Sequence, residues 1–257
     1  MHGNAPIDGS APLLELDGVS VDFDGFLALD DLSLCLASGE LRAVIGPNGA
    51  GKTTFLDVIT GKLLPSSGDV RFKGRSLLGQ QEHHIARLGV GRKFQSPRVF
   101  ENLSLRQNLT LAASVKTPLA LLFGSLGRSE RDRVEHLLGV IDLADRPHLL
   151  AGELSHGQKQ WLEIAMLVAQ DPDLLLVDEP VAGLTDGETE RTADLLRELA
   201  GDHTVLVIDH DMEFIRRLDA PVTVLHEGHV LCEGTMDQVQ CDPAVTEVYL
   251  GRADETP

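Results

Sequence analysis

Apolar positions along the chain follow two distinct periods. From Leu14 to Phe23 and from Leu32 to Leu36, apolar and polar residues alternate, which turns one face of a strand inward and the other toward water. Three further runs are apolar without alternation: Leu41 to Ile45, the LLLV within Asp173 to Pro180, and Val205 to Ile208. Such runs suit strands of a parallel sheet covered on both faces. Helical spacing marks Lys52 to Thr60, Glu101 to Val115, Arg128 to Leu143, Asp186 to Leu199 and Pro243 to Leu250. It also marks the stretch after Ser155, through Trp161, Leu162, Ile164, Ala165, Leu167 and Val168. Val222 to Leu225 and Val230 to Cys232 flank Glu227 and Gly228 as a hairpin.

The order of these elements predicts an α/β chain with a core of mixed and parallel sheet, an antiparallel β-subdomain and an inserted α-helical lobe. The lobe is placed at Ser96 to Trp161, between core segments 13–95 and 162–250 of one domain spanning 13–250. Residues 1–12, small, polar and proline-containing, and residues 251–257 read as loose tails. Movement of the lobe would connect ligand occupancy with an external partner.

Between the strand at Leu41 and the helix at Lys52 the chain reads GPNGAGKTT, which fits the phosphate-loop pattern G-x-x-x-x-G-K-[ST]. Backbone N–H groups must approach phosphate closely, and Gly46, Gly49 and Gly51 leave room for a curled loop. The whole run, Gly46, Pro47, Asn48, Gly49, Ala50, Gly51, Lys52, Thr53 and Thr54, is expected to cradle a nucleoside triphosphate at a helix N-terminus. Lys52 would meet the β and γ phosphates, and the Thr53 hydroxyl would take one place on a Mg²⁺.

Two further segments carry chemistry. In DLLLVDEP an apolar strand runs into Asp178 and Glu179 at the end where α/β sheets bind ligands. Asp178 would stand beside the metal, and Glu179 would orient or deprotonate an attacking water. In LSHGQKQ, Ser155 is a good N-cap followed by Gly157 and Gln158, so a second helix N-terminus offers a second anion site. Two such sites over a hundred residues apart invite a sandwich in which each triphosphate is held by the loop of one protomer and the second site of another.

Phosphate loop, LLLVDE and LSHGQ in this order resemble the Walker A, Walker B and signature motifs of the ATP-binding subunits of ABC transporters, from about Leu13 to Leu250. The resemblance implies the ABC ATPase fold and Mg²⁺-dependent ATP hydrolysis. It implies that Phe23 stacks on adenine, with Phe26 the nearby competitor. Gln95, in RKFQSPRVF, matches the glutamine that senses the γ-phosphate and Mg²⁺, and His210, in VLVIDHDM, matches the switch histidine that steadies the catalytic water. Lys52, Gln95, Glu179 and His210 are therefore the expected catalytic set, and Thr53, Gln95 and Asp178 the expected metal set. Gly183, Leu184 and Thr185 match the D-loop, with Thr185 where the family usually has aspartate and His156 where the signature usually has glycine.

The resemblance also implies partners: membrane permease subunits, a second ATP-binding subunit packed head to tail, alike or merely similar, and indirectly a solute-binding protein. LSHGQ, DEPVAGLTD and the closing EVYLG resemble most the subfamily that serves urea, short amides and branched-chain amino acids. Urea or a short amide is the expected solute, with branched-chain amino acids as the alternative.

Composition narrows the classes further. With 22 basic against 40 acidic residues the net charge is −18, so the surface repels nucleic-acid backbones and anionic lipid headgroups. No run reaches the 18 apolar residues of a membrane span; the best, Leu119 to Phe123, stops at Gly124 and Ser125. The N-terminus lacks a signal-peptide pattern, and Cys35, Cys232 and Cys241 lack paired spacing. The expected position is peripheral, on the cytoplasmic face of a membrane, with partners bringing the protein there. His83, His84, His203, His226 and His229 form no ligand grouping with cysteine and read as surface or loop residues. An ABC-type scaffold without a transporter is disfavoured by the single phosphate loop and the acidic charge, and a sensor that binds without hydrolysing by the presence of Glu179 and His210 together.

Overall fold

Two sheets and a group of helices build the chain, in a computed structural model that describes residues 11–93, 99–114 and 127–250. Gln95, Leu119 to Phe123 and most of both expected tails lie outside the described residues. The first strands are β1 (Leu14–Phe23), β2 (Phe26–Leu36) and β3 (Leu41–Ile45), followed by α1 (Lys52–Ile59), β4 (Ser67–Phe72), β5 (Arg75–Ser76), α2 (Glu82–Leu88) and β6 (Val90–Lys93). Next come α3 (Leu105–Ala113), α4 (Arg128–Val140), α5 (His156–Ala169), β7 (Leu174–Asp178), α6 (Asp186–Leu199) and β8 (Thr204–Ile208). The chain closes with α7 (Met212–Leu218), β9 (Val222–His226), β10 (His229–Gly234), α8 (Met236–Cys241) and α9 (Pro243–Leu250).

The antiparallel sheet has the order β2-β1-β4-β5, and the larger one β10-β9-β3-β8-β7-β6, parallel except for the β10 edge. All five residues of β7 and all five of β8 are buried. Their alternation divides them between two cores. Leu174, Leu176, Leu206, Ile208 and Val44 pack with α1 and the antiparallel sheet, whereas Leu175, Val177, Val205, Val207, Ala43 and Ile45 pack with the helices. A strand covered on both faces has no place for a polar side chain along its length, so its sequence is a plain apolar run.

The helical lobe shares the second of these cores through Leu105, Leu109, Val134, Leu137 and Leu138. Its entry is tied by Asn108, fully buried, whose amide donates to the carbonyls of Phe100, Leu103 and Ser104 while its oxygen accepts from Phe100 N–H. The sequence division at Trp161 falls inside α5, which is continuous for 14 residues and touches α3, α4 and β6. One continuous helix thus runs from the lobe into the core. The Trp161 indole N–H donates to Thr192 Oγ1 on α6 at 3.0 Å.

One ion pair is sealed where this helix meets the sheet. Lys93 Nζ, at the end of β6 and fully buried, lies 3.5 Å from Glu163 Oε2 on α5. Burial pushes the lysine pKa down, and Glu163 is the largest influence the other way. Glu163→Leu, which leaves the buried ammonium without this carboxylate, should lower the unfolding free energy by about 3 to 5 kcal/mol in urea titrations. Lys93→Met combined with Glu163→Leu should recover most of that loss; an equal loss in single and double variants would show that the charges are not its source.

Candidate functional site

The phosphate loop leaves β3 at Ile45 and enters α1 at Lys52. It is shaped by what stands behind it. A Cβ at Gly46 would lie 2.3 Å from the Leu225 carbonyl, and one at Gly51 would lie 2.5 Å from the Ala28 carbonyl. Gly51 is also in the left-handed region, at φ 97°, where only glycine is unstrained. Gly228 N–H donates to the Ala50 carbonyl at 3.1 Å, and Asp30 N–H donates to the Gly228 carbonyl at 3.1 Å, so the β9–β10 turn and β2 hold the loop from below. No side chain caps α1, leaving its first amides to an external acceptor, and Asn48, Gly49 and Thr53 are exposed. Lys52 Nζ donates to the carbonyls of Gly46 at 2.6 Å and Pro47 at 2.9 Å, which poises it over the loop.

The carboxylates gather beside this lysine. Burial lowers the Lys52 pKa, and Glu179, Asp178 and Asp209, in that order, oppose the shift through their charges. Asp178 ends β7 opposite Ile208 of β8 and is buried. Its pKa is raised by that burial, with the Arg92 guanidinium pulling it back down. Arg92 on β6 reaches Asp178 Oδ2 at 3.5 Å and Asp57 Oδ1 on α1 at 2.5 Å, tying the strand end to the phosphate-loop helix.

At Glu179 the backbone turns into the left-handed region, φ 46°, and its N–H donates to the Ile208 carbonyl at 2.8 Å. A non-glycine residue there is uncommon, and such strain gathers at working sites. The turn releases Glu179 from the buried strand and leaves its side chain partly exposed. His210 Nδ1 stands 3.6 Å from Glu179 Oε1, within charge-pairing range and longer than a hydrogen bond. The imidazole is well exposed, 66%, so it is free to meet a ligand.

Asp209 holds that histidine in place. Its Oδ1 accepts from His210 N–H at 2.7 Å and from Asp211 N–H at 3.0 Å, closing the turn that leads into α7. It is buried, and burial raises its pKa against these two hydrogen bonds. Sequence reasoning singled out neither Arg92 nor Asp209. An aspartate followed by two free amides directly after a buried strand was the available signal for Asp209.

The second expected anion site lies at the start of α5. Ser155 Oγ accepts from Gln158 N–H at 3.2 Å, and the Gln158 side chain accepts from Ser155 N–H at 3.1 Å, a reciprocal capping box. His156 is exposed, with Nε2 3.2 Å from Gln160 Nε2. Thr185 caps α6 in the same way with Glu188, so the threonine in the D-loop position has a structural task that its hydroxyl suits. Among the described residues no hydrogen bond or ion pair joins Ser155, Gly157 or Gln158 to the phosphate loop of the same chain.

Phe23 and Phe26 face each other across the β1–β2 turn, 48% and 64% exposed. Two residues on, the same hairpin abuts Gly51 through Ala28, so both rings sit on the element that supports the loop. His83 and His84 are exposed on α2, and His203 Nδ1 lies 2.6 Å from the Pro172 carbonyl.

Comparison with known proteins bears on the whole chain. Residues 29–182 match the ABC transporter family model, and residues 229–255 match that of branched-chain amino acid ATP-binding cassette transporters. The chain is 36% identical over 254 residues to the high-affinity branched-chain amino acid transport ATP-binding protein BraF of Pseudomonas aeruginosa, covering 95% of this chain and all of the relative. To LivG of Escherichia coli K12, of the same description, it is 35% identical over the same shares. Among solved structures, the ATP-binding cassette MJ1267 in its ADP conformation superposes with a TM-score of 0.80 at 28% identity, covering 94% of this chain and all of that one. The dimeric ATP-binding cassette MJ0796, in a post-hydrolysis state with ADP and Pi, gives 0.71 at 25% identity over 87% and 98%. The likeness thus runs over nearly the full length of these relatives, and the chain belongs to the ATP-binding, ATP-hydrolysing subunits of ABC transporters.

Proposed function

We propose that this subunit drives uptake of branched-chain amino acids. The observation that carries the reading is the full-length similarity to BraF and LivG, supported by the separate match of residues 229–255. The urea or short-amide reading drawn from the motifs finds no support in these relatives, whose names specify branched-chain amino acids. A nucleotide-binding subunit does not touch the solute, so its motifs carry descent rather than substrate chemistry.

The residues fit ATP with Mg²⁺. Uncapped amides of α1 and the Lys52 ammonium suit the phosphates, and the exposed Thr53 hydroxyl and the Asp178 carboxylate are hard oxygen donors of the kind Mg²⁺ takes alongside phosphate oxygens. Thr53, Asp178 and Gln95 would hold Mg²⁺, which neutralises charge between the β and γ phosphates when bound. Phe23, or Phe26 across from it, stacks on adenine. Glu179 orients and deprotonates the attacking water, and His210, held by Asp209, contacts the γ-phosphate. Ser155, Gly157 and Gln158 of a second ATP-binding subunit, alike or similar, close the site from the other side, as the dimeric neighbour supports. Membrane permeases carry the solute, delivered by a solute-binding protein. No helix among the described residues is long and apolar enough to cross a membrane. By the same family reading, the permease holds the subunit at the cytoplasmic face. The division into core and inserted lobe provides the moving parts.

Glu179→Gln should keep ATP binding, measured by equilibrium titration, while turnover falls about 10²- to 10⁴-fold; normal turnover would remove Glu179 from the catalytic role. Cells carrying Lys52→Ala at wild-type level should lose labelled leucine uptake and keep labelled urea uptake. Loss of urea uptake with leucine intact would instead reverse the choice of solute.

A further inference from the structure

We infer that Glu188 occupies the second anion site from within the chain, so that a triphosphate reaching Ser155 from a partner subunit must first displace this carboxylate. The inference rests on the proposed role of Ser155 in closing the nucleotide site. It concerns how that closure is regulated.

Glu188 lies in the first turn of α6, yet its side chain serves two helices. Its Oε2 accepts from Thr185 N–H at 3.1 Å and Thr185 Oγ1 at 3.0 Å, completing the α6 cap. Its Oε1 accepts from Ser155 Oγ at 3.2 Å, 33 residues away in sequence. A serine hydroxyl has one proton to give. The Ser155 oxygen already accepts from Gln158 N–H, and its proton points to Glu188. A phosphate oxygen, which only accepts, needs that same proton.

The crowding at Gly157 shows how close the carboxylate comes. A Cβ on Gly157 would lie 2.5 Å from Glu188 Oε1 and 2.6 Å from Cδ, so the bare glycine of the signature makes room for this side chain. The backbone N–H of Thr185, then the Thr185 and Ser155 hydroxyls and the nearby His156, hold the Glu188 carboxyl below its usual range. It is therefore an anion at neutral pH, set where another anion has to bind. Closure exchanges one acceptor for another on Ser155 and brings two negative charges together, so a triphosphate engages this site against the cost of displacing Glu188.

Glu188→Gln separates this effect from capping, because a capping box takes glutamine as well as glutamate. With its amide oxygen on Thr185 N–H, the amide nitrogen faces Ser155 as a donor, and the Ser155 proton is released. The experiment measures ATPase against ATP concentration in the intact transporter, purified through a tag on this chain. Glu188→Gln should lower the KM for ATP about three- to tenfold, the range of one hydrogen bond, with the thermal unfolding midpoint near wild type. Glu188→Ala should also lower the KM, with a lower midpoint from the lost cap. Ser155→Ala should raise the KM, and adding Glu188→Gln to it should bring no further gain. A KM unchanged or raised by Glu188→Gln, with Ser155→Ala still impaired, would overturn the inference about Glu188 alone. An unaffected Ser155→Ala would overturn the shared site, and the inference with it.

Discussion

Burial of β7 and β8 on both faces is the constraint from which the rest follows. A strand enclosed by two cores tolerates polar side chains only where it ends, because a buried polar group without a partner is costly. Asp178, Glu179, Asp209 and His210 therefore appear together at the C-terminal edge, and β3, paired to β8, delivers the phosphate loop to the same edge. The helix N-terminus, the lysine and the carboxylates are neighbours because the sheet has no other place to put them.

Much of this was legible because it is local. The apolar runs gave β3, β7 and β8 nearly to the residue, and the hairpin residues Glu227 and Gly228 stand between β9 and β10 as read. Helix α6 was found at both ends, its N-cap a threonine followed three places later by glutamate. Strand β2 begins at Phe26 rather than Leu32, because Asp31, at φ 50°, and the shifts of register against β1 break the alternation that marks a strand. The short elements β4, β5, α2, α7 and α8 span too few residues to show a period.

The site divides along the same line. Residues inside a motif could be named from the chain, since the loop and the strand end work through their own backbones. Arg92 acts on Asp57, 35 positions away, and Glu188 on Ser155, 33 positions away. Such pairings exist only once the sheet has ordered its strands. Thr185 shows the reverse case: an apparent defect against the family pattern becomes a helix cap when its neighbours are in place.

Helix α5 has a mechanical consequence. The indole of Trp161 fastens it to Thr192 partway along its length, and Ser155 stands six residues before that fastening. At 1.5 Å per residue the arm from pivot to serine is about 9 Å, so a tilt of about 10° carries the Ser155 amides through about 1.5 Å. That distance separates a made hydrogen bond from a lost one. The Trp161 to Thr192 contact thus marks the point about which a tilt of α5 would be read out at Ser155.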